Sequence, residues 1–297
     1  MSIDIAVVPV AGRGTRLLPA TKSQPKEMLS VGRKPVVQYV VEELALSGIR
    51  RLLFITSHGK ASIEQHFDTD EQLTSYLRET GREEQLKDLE YERQDMEYFY
   101  TRQRRQLGLG HAVLCARSLV GNQPFIVALG DSIIGLHAQS DIVARMIEQF
   151  DASGADVVVA FEEVASHEVV QYGIAKPRGS GGAIFELEDV IEKPAVDEAP
   201  SNLAVAARYV FSPAIFDALN ETPPGKGGEI QLTDAIRLLL RQGCKGIGVS
   251  LAGTERRFDI GNFDSYFRAF CEFALRDPEY GPGLRDFVGH LLGREER

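Results

Sequence analysis

Residues 5–29 read IAVVPVAGRGTRLLPATKSQPKEML, and the reading of this stretch decides the fold. The apolar run Ile5-Ala6-Val7-Val8-Pro9-Val10 predicts a buried strand. It empties into Ala11-Gly12-Arg13-Gly14-Thr15-Arg16, a turn that is small and basic at once. Glycines let backbone N–H groups approach a ligand closely, and successive N–H groups facing one way form an anion nest. Between Ala11 and Lys34 six basic residues (Arg13, Arg16, Lys22, Lys26, Arg33, Lys34) stand against one acid, Glu27, whereas the whole chain carries 33 Lys+Arg against 43 Asp+Glu. A local positive excess beside a glycine turn, on an acidic chain, points to a phosphate site. Two known glycine loops do not fit. The dinucleotide fingerprint needs a third glycine where Leu17 stands, and the P-loop pattern is absent.

Working outward, 297 residues can bury one large core or two small ones. No apolar run approaches the ~20 residues that span a bilayer, and Met1-Ser2-Ile3-Asp4 lacks the basic start of a signal peptide. A net charge of −10 disfavours non-specific binding to nucleic acid or membrane. Cys115, Cys244 and Cys271 share no metal-ligand spacing and lie in apolar neighbourhoods. They read as buried free thiols, which fits the cytoplasm.

The first half alternates strand and helix: a helix over Pro35–Leu46, a strand over Arg51–Thr56, a short helix over Ala61–Phe67, a strand over Phe125–Leu129 ending at Asp131, a helix over Ile142–Phe150 and a strand over Asp156–Phe161. This rhythm predicts an α/β fold, a Rossmann-like doubly wound, mixed and mostly parallel sheet flanked by helices, with ligand at the carboxyl ends of the strands. Glu71–Tyr100 is dense in charge and reads as solvated helices projecting from the core. Strands are expected over Gly173–Lys176, Ala183–Ile191 and Ala204–Phe211, with Arg178–Gly182 as a flexible hairpin tip. Helices are expected over Ile230–Leu240, Phe263–Leu275 and Gly283–Gly293. No linker interrupts the chain. We expect one α/β domain over residues 1–275, with a nucleotide half at about 1–150 and a sugar half at about 151–262, and a helical extension over 276–297.

The pattern Ala-Gly-x-Gly-Thr-Arg-x-x-Pro-x-Thr-Lys-x-x-Pro-Lys-Glu-Met-Leu resembles the signature of the sugar-phosphate nucleotidylyltransferases, whose fold is the nucleotide-diphospho-sugar transferase type. Within that superfamily the Pro-Lys-Glu-Met-Leu form is similar to the bacterial UTP–glucose-1-phosphate uridylyltransferase branch. Four further segments fit the resemblance in order: Gln103 with Gly108-Leu109-Gly110-His111-Ala112, Glu192-Lys193-Pro194, Pro200-Ser201-Asn202-Leu203-Ala204, and Gly228-Glu229-Ile230-Gln231-Leu232-Thr233-Asp234-Ala235.

The resemblance implies transfer of a uridylyl group from UTP to glucose 1-phosphate by Mg²⁺-assisted direct displacement, giving UDP-glucose and pyrophosphate. Joining two anions calls for positioning and charge neutralisation rather than a nucleophilic side chain. The loop Ala11, Gly12, Gly14, Thr15 and Arg16 would wrap the triphosphate, with Arg16 facing its outer phosphates. Lys26 is assigned to the reacting phosphates, and Glu27 would orient Lys26 or the base. Asp131 is implied as a Mg²⁺ ligand, in Gly130-Asp131-Ser132 where relatives usually have Pro-Asp, and Asp259 matches a second metal carboxylate. Gln103 and Gly108 would read the base, since an amide offers a donor and an acceptor to the edge of uracil. Gly173, Glu192, Lys193, Asn202 and Glu229 are implied at the sugar phosphate, with Glu192 on hydroxyls and Lys193 on the phosphate. His111 reads as structural. We expect a homodimer or homotetramer. A relative using dTTP or another hexose 1-phosphate is a second reading, and a non-catalytic regulatory paralogue that binds sugar nucleotides is a third.

Overall fold

The structure is a computed structural model that describes residues 3–93, 95–179, 181–253 and 255–295. Ile5–Pro9 (β1) forms where the opening motif predicts it, and Ile5 to Val8 are all buried. Arg51–Thr56 (β2), Glu97–Arg102 (β3) and Phe125–Ala128 (β4) join it. All their pairings, β1 with β2, β1 with β4 and β2 with β3, are parallel.

Val157–Glu163 (β5), Gly173–Pro177 (β6), Ile184–Glu192 (β7), Leu203–Phe211 (β8) and Gly246–Ser250 (β9) complete the sheet. Among the described residues its order is β3-β2-β1-β4-β8-β5-β9-β7-β6. Beyond β4 the pairing character changes. β8 runs antiparallel to β4 and β5, β7 runs antiparallel to β9 and β6, and only β5–β9 is parallel. Ala204 of β8 also pairs with Ile174 of β6, so this end of the sheet curls toward itself. The sheet is mixed as expected, and it is mostly parallel only in the first half, since among the described residues three of its four parallel pairings lie there and the antiparallel pairings of the second half outnumber them.

Helices cover both faces. Val36–Leu46 and Ile142–Ser153 bury Val37, Val40, Leu44, Val143 and Met146 on one side, against Val8, Phe54 and Val210. On the other side Ile215–Glu221 and Leu232–Arg241 bury Phe216, Leu219, Ile236 and Leu239 against Val7, Leu53, Val127 and Phe211. A smaller cluster of Leu17, Val31, Tyr39, Ile133, Phe258 and Phe273 anchors the glycine loop under the helix Phe263–Leu275. Apolar burial of this kind is worth about 25 cal/mol per Å², and here it fixes the loop from below.

Three expectations need correction. Glu71–Tyr100 is not helical throughout: after the helix Glu71–Glu79 and tight turns over 83–93, the segment becomes β3. Side chains alternate along a strand, and this puts Tyr98 and Tyr100 together over Phe54, with ring centroids at 6.3 and 5.5 Å. β9 was not anticipated at all. The cysteines are free, but Cys115 and Cys244 are only half-buried and Cys271 is exposed on its helix. The tip at Arg178–Gly182 has positive φ at Gly179, Gly181 and Gly182, while Ser180 lies outside the described residues. No helix among the described residues is long and apolar enough to cross a membrane.

Candidate active site

The carboxyl ends of β1, β3 and β4 open onto a cleft of about 570 Å³. Gly14 sits at φ +66 and turns the chain into the short helix Thr15–Leu17, and Thr21 Oγ1 donates to the Gly14 carbonyl at 2.7 Å. Pro25 then starts the turn Lys26–Met28. A methyl group on Gly12 would lie 3.9 Å from Lys26 Nζ, so the ammonium stands directly over the glycine loop.

Lys26 forms a salt bridge with Asp131. Burial alone would lower the Lys26 pKa, but Asp131, Glu27 and Asp259 raise it above that of a free lysine. Asp131 follows β4. Asp259 arrives beside it through a two-stranded ribbon, Ser132–Ile134 with Arg257–Asp259, in which Asp259 pairs with Ser132. Ile260 N–H closes the arrangement by donating to the Asp131 carbonyl at 3.0 Å. Burial works against the Asp131 charge, yet Lys26 and Arg16 hold its carboxyl below the usual range. Burial and the neighbouring Asp131 push Asp259 up, against the pull of Arg257, Lys26 and Arg16. A methyl group on Gly261 would lie 2.8 Å from Asp259 Oδ2 and 3.4 Å from Arg16 Nη2, so this glycine keeps the meeting point open.

Asp131 and Asp259 are neighbouring carboxylates, a donor type that suits a hard cation. Magnesium is held in this way, by one or two carboxylates, with water and phosphate oxygens completing its shell. Gly130 departs from the usual Pro. A methyl there would meet Val10 Cγ1 at 2.6 Å, so glycine lets this loop lie against the end of β1 without moving Asp131.

Glu27 is buried at the floor of the cleft. It pairs with Lys60 at 2.7 Å, both side chains buried, and burial pushes its carboxyl up against the pull of Lys60 and Lys26. Gln103 is also buried, and its amide nitrogen donates to the Gly108 carbonyl at 2.9 Å and faces His111 Nδ1 at 3.0 Å. That nitrogen is occupied within the protein, which leaves the amide oxygen for a ligand. Burial lowers the pKa of His111. Gly108 has φ +95, and a methyl on it would meet Glu229 Cβ and the Ile230 carbonyl oxygen at 2.8 Å. Ile230 N–H donates to the Leu107 carbonyl at 2.7 Å and Gly110 N–H to the Ile230 carbonyl at 2.8 Å. Glu229 therefore lines the cleft beside the Gly108 turn.

On the side expected to take the sugar, the pairing of β6 with β7 sets Gly173 opposite Glu192. Thr233 Oγ1 donates to Glu192 Oε2 at 2.6 Å, and Lys193 Nζ lies 3.3 Å from Glu192 Oε1. A methyl on Gly173 would come within 3.1 Å of Thr233 and 3.4 Å of Glu192 Oε2. Tyr209 is buried between the two groups: burial and Glu192 raise its pKa, and Asp131 adds to the effect. Asn202 lies just before the start of β8. Ser201 Oγ donates to the Ala175 carbonyl, which carries Asn202 into a second depression with Glu163 and Lys176.

Sequence reasoning missed Lys60, Gln106 and Arg257. Gln106 donates to the Ala11 carbonyl at 2.7 Å and accepts from Arg13. Arg257 pairs with Glu162 at 2.6 Å and lies 4.4 Å over the Tyr172 ring. For Gln106 the signal was its place between Gln103 and Gly108. No local pattern marked the other two.

The nucleotidyl transferase family model matches residues 5–275. The chain is 42% identical over 293 residues to the UTP–glucose-1-phosphate uridylyltransferase YngB of Bacillus subtilis (strain 168), covering 98% of this chain and 96% of the relative. Its fold matches UTP-bound UGPase from Acinetobacter baumannii with a TM-score of 0.87 at 37% identity, over 96% of this chain and 98% of that one. It also matches a UDP-glucose pyrophosphorylase complexed with UDP-glucose, with a TM-score of 0.83 at 36% identity, over 93% and 100%. The glycine loop with Lys26 above it, the strand-end Asp131 and a match that runs nearly the full length have one explanation: the chain belongs to the nucleotidyl transferase family.

Proposed function

We propose that the protein is a UTP–glucose-1-phosphate uridylyltransferase, making UDP-glucose and pyrophosphate. One observation carries the reading: Lys26, Arg16, Asp131 and Asp259 converge over the glycine loop of a chain whose near-full-length relatives bear that name. In the reaction a phosphate oxygen of glucose 1-phosphate forms a bond to the α-phosphorus of UTP. The bond from that phosphorus to the bridging oxygen breaks, and pyrophosphate leaves with the electron pair.

Each side chain then has a task. Backbone N–H groups from Ala11 to Thr15 and the Arg16 guanidinium hold the triphosphate. Lys26 neutralises charge at the reacting phosphates, where it is worth most. Gln103 offers its amide oxygen to the N3–H of uracil, beside Gly108. Glu192, held by Thr233, accepts from sugar hydroxyls, and Lys193 aligns the attacking phosphate. Glu229 borders the cleft at the Gly108 turn. Nucleotidyl transferases generally use a divalent metal. Here we assign Mg²⁺, held by Asp131 and Asp259, where it would neutralise phosphate charge. The three free cysteines suit the cytoplasm. A homodimer or homotetramer would cover the exposed Phe267, Phe287 and Leu292.

The test is incubation with UTP, glucose 1-phosphate and Mg²⁺, with pyrophosphate and UDP-glucose measured, and dTTP run in parallel. Absence of both products overturns the reading. Equal turnover with dTTP would replace its nucleotide.

A further inference from the structure

Two of the four charged groups nearest the candidate metal carboxylates already have partners of their own. Glu27 is closed against Lys60 at 2.7 Å, and Arg257 against Glu162 at 2.6 Å. What remains over Asp131 and Asp259 is Lys26, bonded to Asp131 Oδ2, with Arg16 nearby. The Lys26 side chain is largely buried, and so is that of Asp131. An ammonium therefore sits on the very oxygen that a divalent cation would use, and the two cannot share it without repelling each other.

We propose that Lys26 is the resident counter-ion of Asp131 in the free enzyme, and that it gives up this carboxylate to the metal when a nucleoside triphosphate draws the ammonium onto its phosphates. The inference rests on the reading of Asp131 as a metal ligand. Lys26 stands beside Gly12, so phosphates on the glycine loop would lie within its reach. Once it turns to them, Asp131 and Asp259 are left as two adjoining negative charges, with Arg257 beside Asp259 and Arg16 near both. The nucleotide thus creates the metal site that it needs. Each ligand must then strengthen the other's binding by the same factor, since linkage is reciprocal. The free enzyme should hold the metal weakly despite its two carboxylates.

The experiment is a Mn²⁺ titration of the nucleotide-free protein, followed by calorimetry and by loss of the free-ion EPR signal. Wild type, Lys26→Met and the double variant Lys26→Met/Asp131→Asn are compared. Removing the ammonium should tighten Mn²⁺ about tenfold or more, within the range of ordinary coupling between sites. The added Asp131→Asn should abolish that gain. Lys26→Gln serves as a second variant if Lys26→Met folds poorly, with the same expectation. Equal affinity in wild type and both Lys26 variants overturns the proposal. In that case, Asp131→Asn alone decides whether the metal assignment survives. If it raises the Mg²⁺ concentration needed for turnover, the ligand stands and only the exchange is wrong. If the Mg²⁺ requirement is unchanged, both fall.

Discussion

The two halves proposed for the site, nucleotide and sugar, are built in opposite ways. In the nucleotide half, parallel strands end together and their loops cross-pair: Lys26 with Asp131, Glu27 with Lys60, Gln106 with Ala11. Around the sugar, the strands are mainly antiparallel, and Glu192 and Lys193 lie at the end of one of them. The side chain of Lys193 is 48% exposed, against 16% for Lys26. Its backbone sits at φ +45, a region that a non-glycine residue rarely adopts, at a cost of about 1–3 kcal/mol. The strain is held by its N–H, which donates to the Tyr172 carbonyl at 2.9 Å. One half is neutralised in advance, and the other holds a cation half-open to solvent. Arranged this way, the nucleotide half should be sensitive in turnover and the sugar half in substrate affinity.

The largest effect is expected where the halves meet. Arg208 of β8 and Glu43 of the helix Val36–Leu46 form a fully buried bidentate pair, at 2.6 and 3.1 Å, and Arg208 also donates to the Ser132 carbonyl at 2.9 Å. Arg208→Met leaves Glu43 buried without a counter-charge, and removing one partner of such a pair costs about 3–5 kcal/mol. Denaturant unfolding should show this loss, and Arg208→Met/Glu43→Leu should recover most of it. If the single variant is as stable as wild type, the seam does not hold the two halves together.

Lys26→Ala should lower kcat by on the order of 10²–10³. Steady-state kinetics that move KM alone would place Lys26 in ground-state binding and erase the contrast. Lys193→Ala should act mainly on glucose 1-phosphate. A hydrogen bond to a charged group is worth about 1.5–3 kcal/mol, hence a KM rise of about 10–100-fold. UTP binding, measured by calorimetry, should stay near wild type. Lys193→Arg should not restore function, since a planar fork does not replace a compact ammonium. A collapse of UTP affinity would mean that the halves are not separable there.

Gln103→Glu replaces the donor to the Gly108 carbonyl with a repelling oxygen, and should weaken UTP about tenfold while leaving glucose 1-phosphate handling alone. Unchanged UTP affinity in the folded variant removes Gln103 from base recognition. The smallest effect belongs to Thr233→Val, which frees Glu192 of one hydrogen bond. A KM rise for glucose 1-phosphate of about two- to tenfold follows from about 0.5–1.5 kcal/mol. No change would show that Glu192 is positioned by β7 alone.

What the sequence revealed follows the same division. Ile5–Val10, Arg51–Thr56 and Phe125–Ala128 are short apolar runs buried on both faces, and such runs are legible. The glycine loop, Lys26 and Asp131 were legible because they lie at strand ends within one contiguous pattern. β3 was hidden because two of its three exposed positions, Glu97 and Arg102, are charged and its neighbours are acidic, so the tyrosines that pack on Phe54 looked like helix surface. β9 was hidden by its glycines: Gly248 has no side chain because the Phe185 ring lies where a methyl would be, 2.2 Å from its Cζ. The role of Lys60 was not legible either, since its partner Glu27 is set by tertiary packing. Asp259 could be matched by resemblance, but only the ribbon with Ser132–Ile134 explains why it meets Asp131.

The interlock of the Gly108–Gly110 turn with Glu229–Ile230 bears on protein engineering. A designer wishing to change the sugar accepted would be tempted to graft residues 151–262 from a relative onto this nucleotide half. The graft would carry a foreign backbone at 229–230 into a slot with no spare room, since even a methyl on Gly108 or Gly110 would come within 2.8 Å of the Ile230 carbonyl oxygen. The turn and the segment it grips must therefore be transplanted together. A library that randomises one and fixes the other would sample mostly broken hinges rather than new specificities.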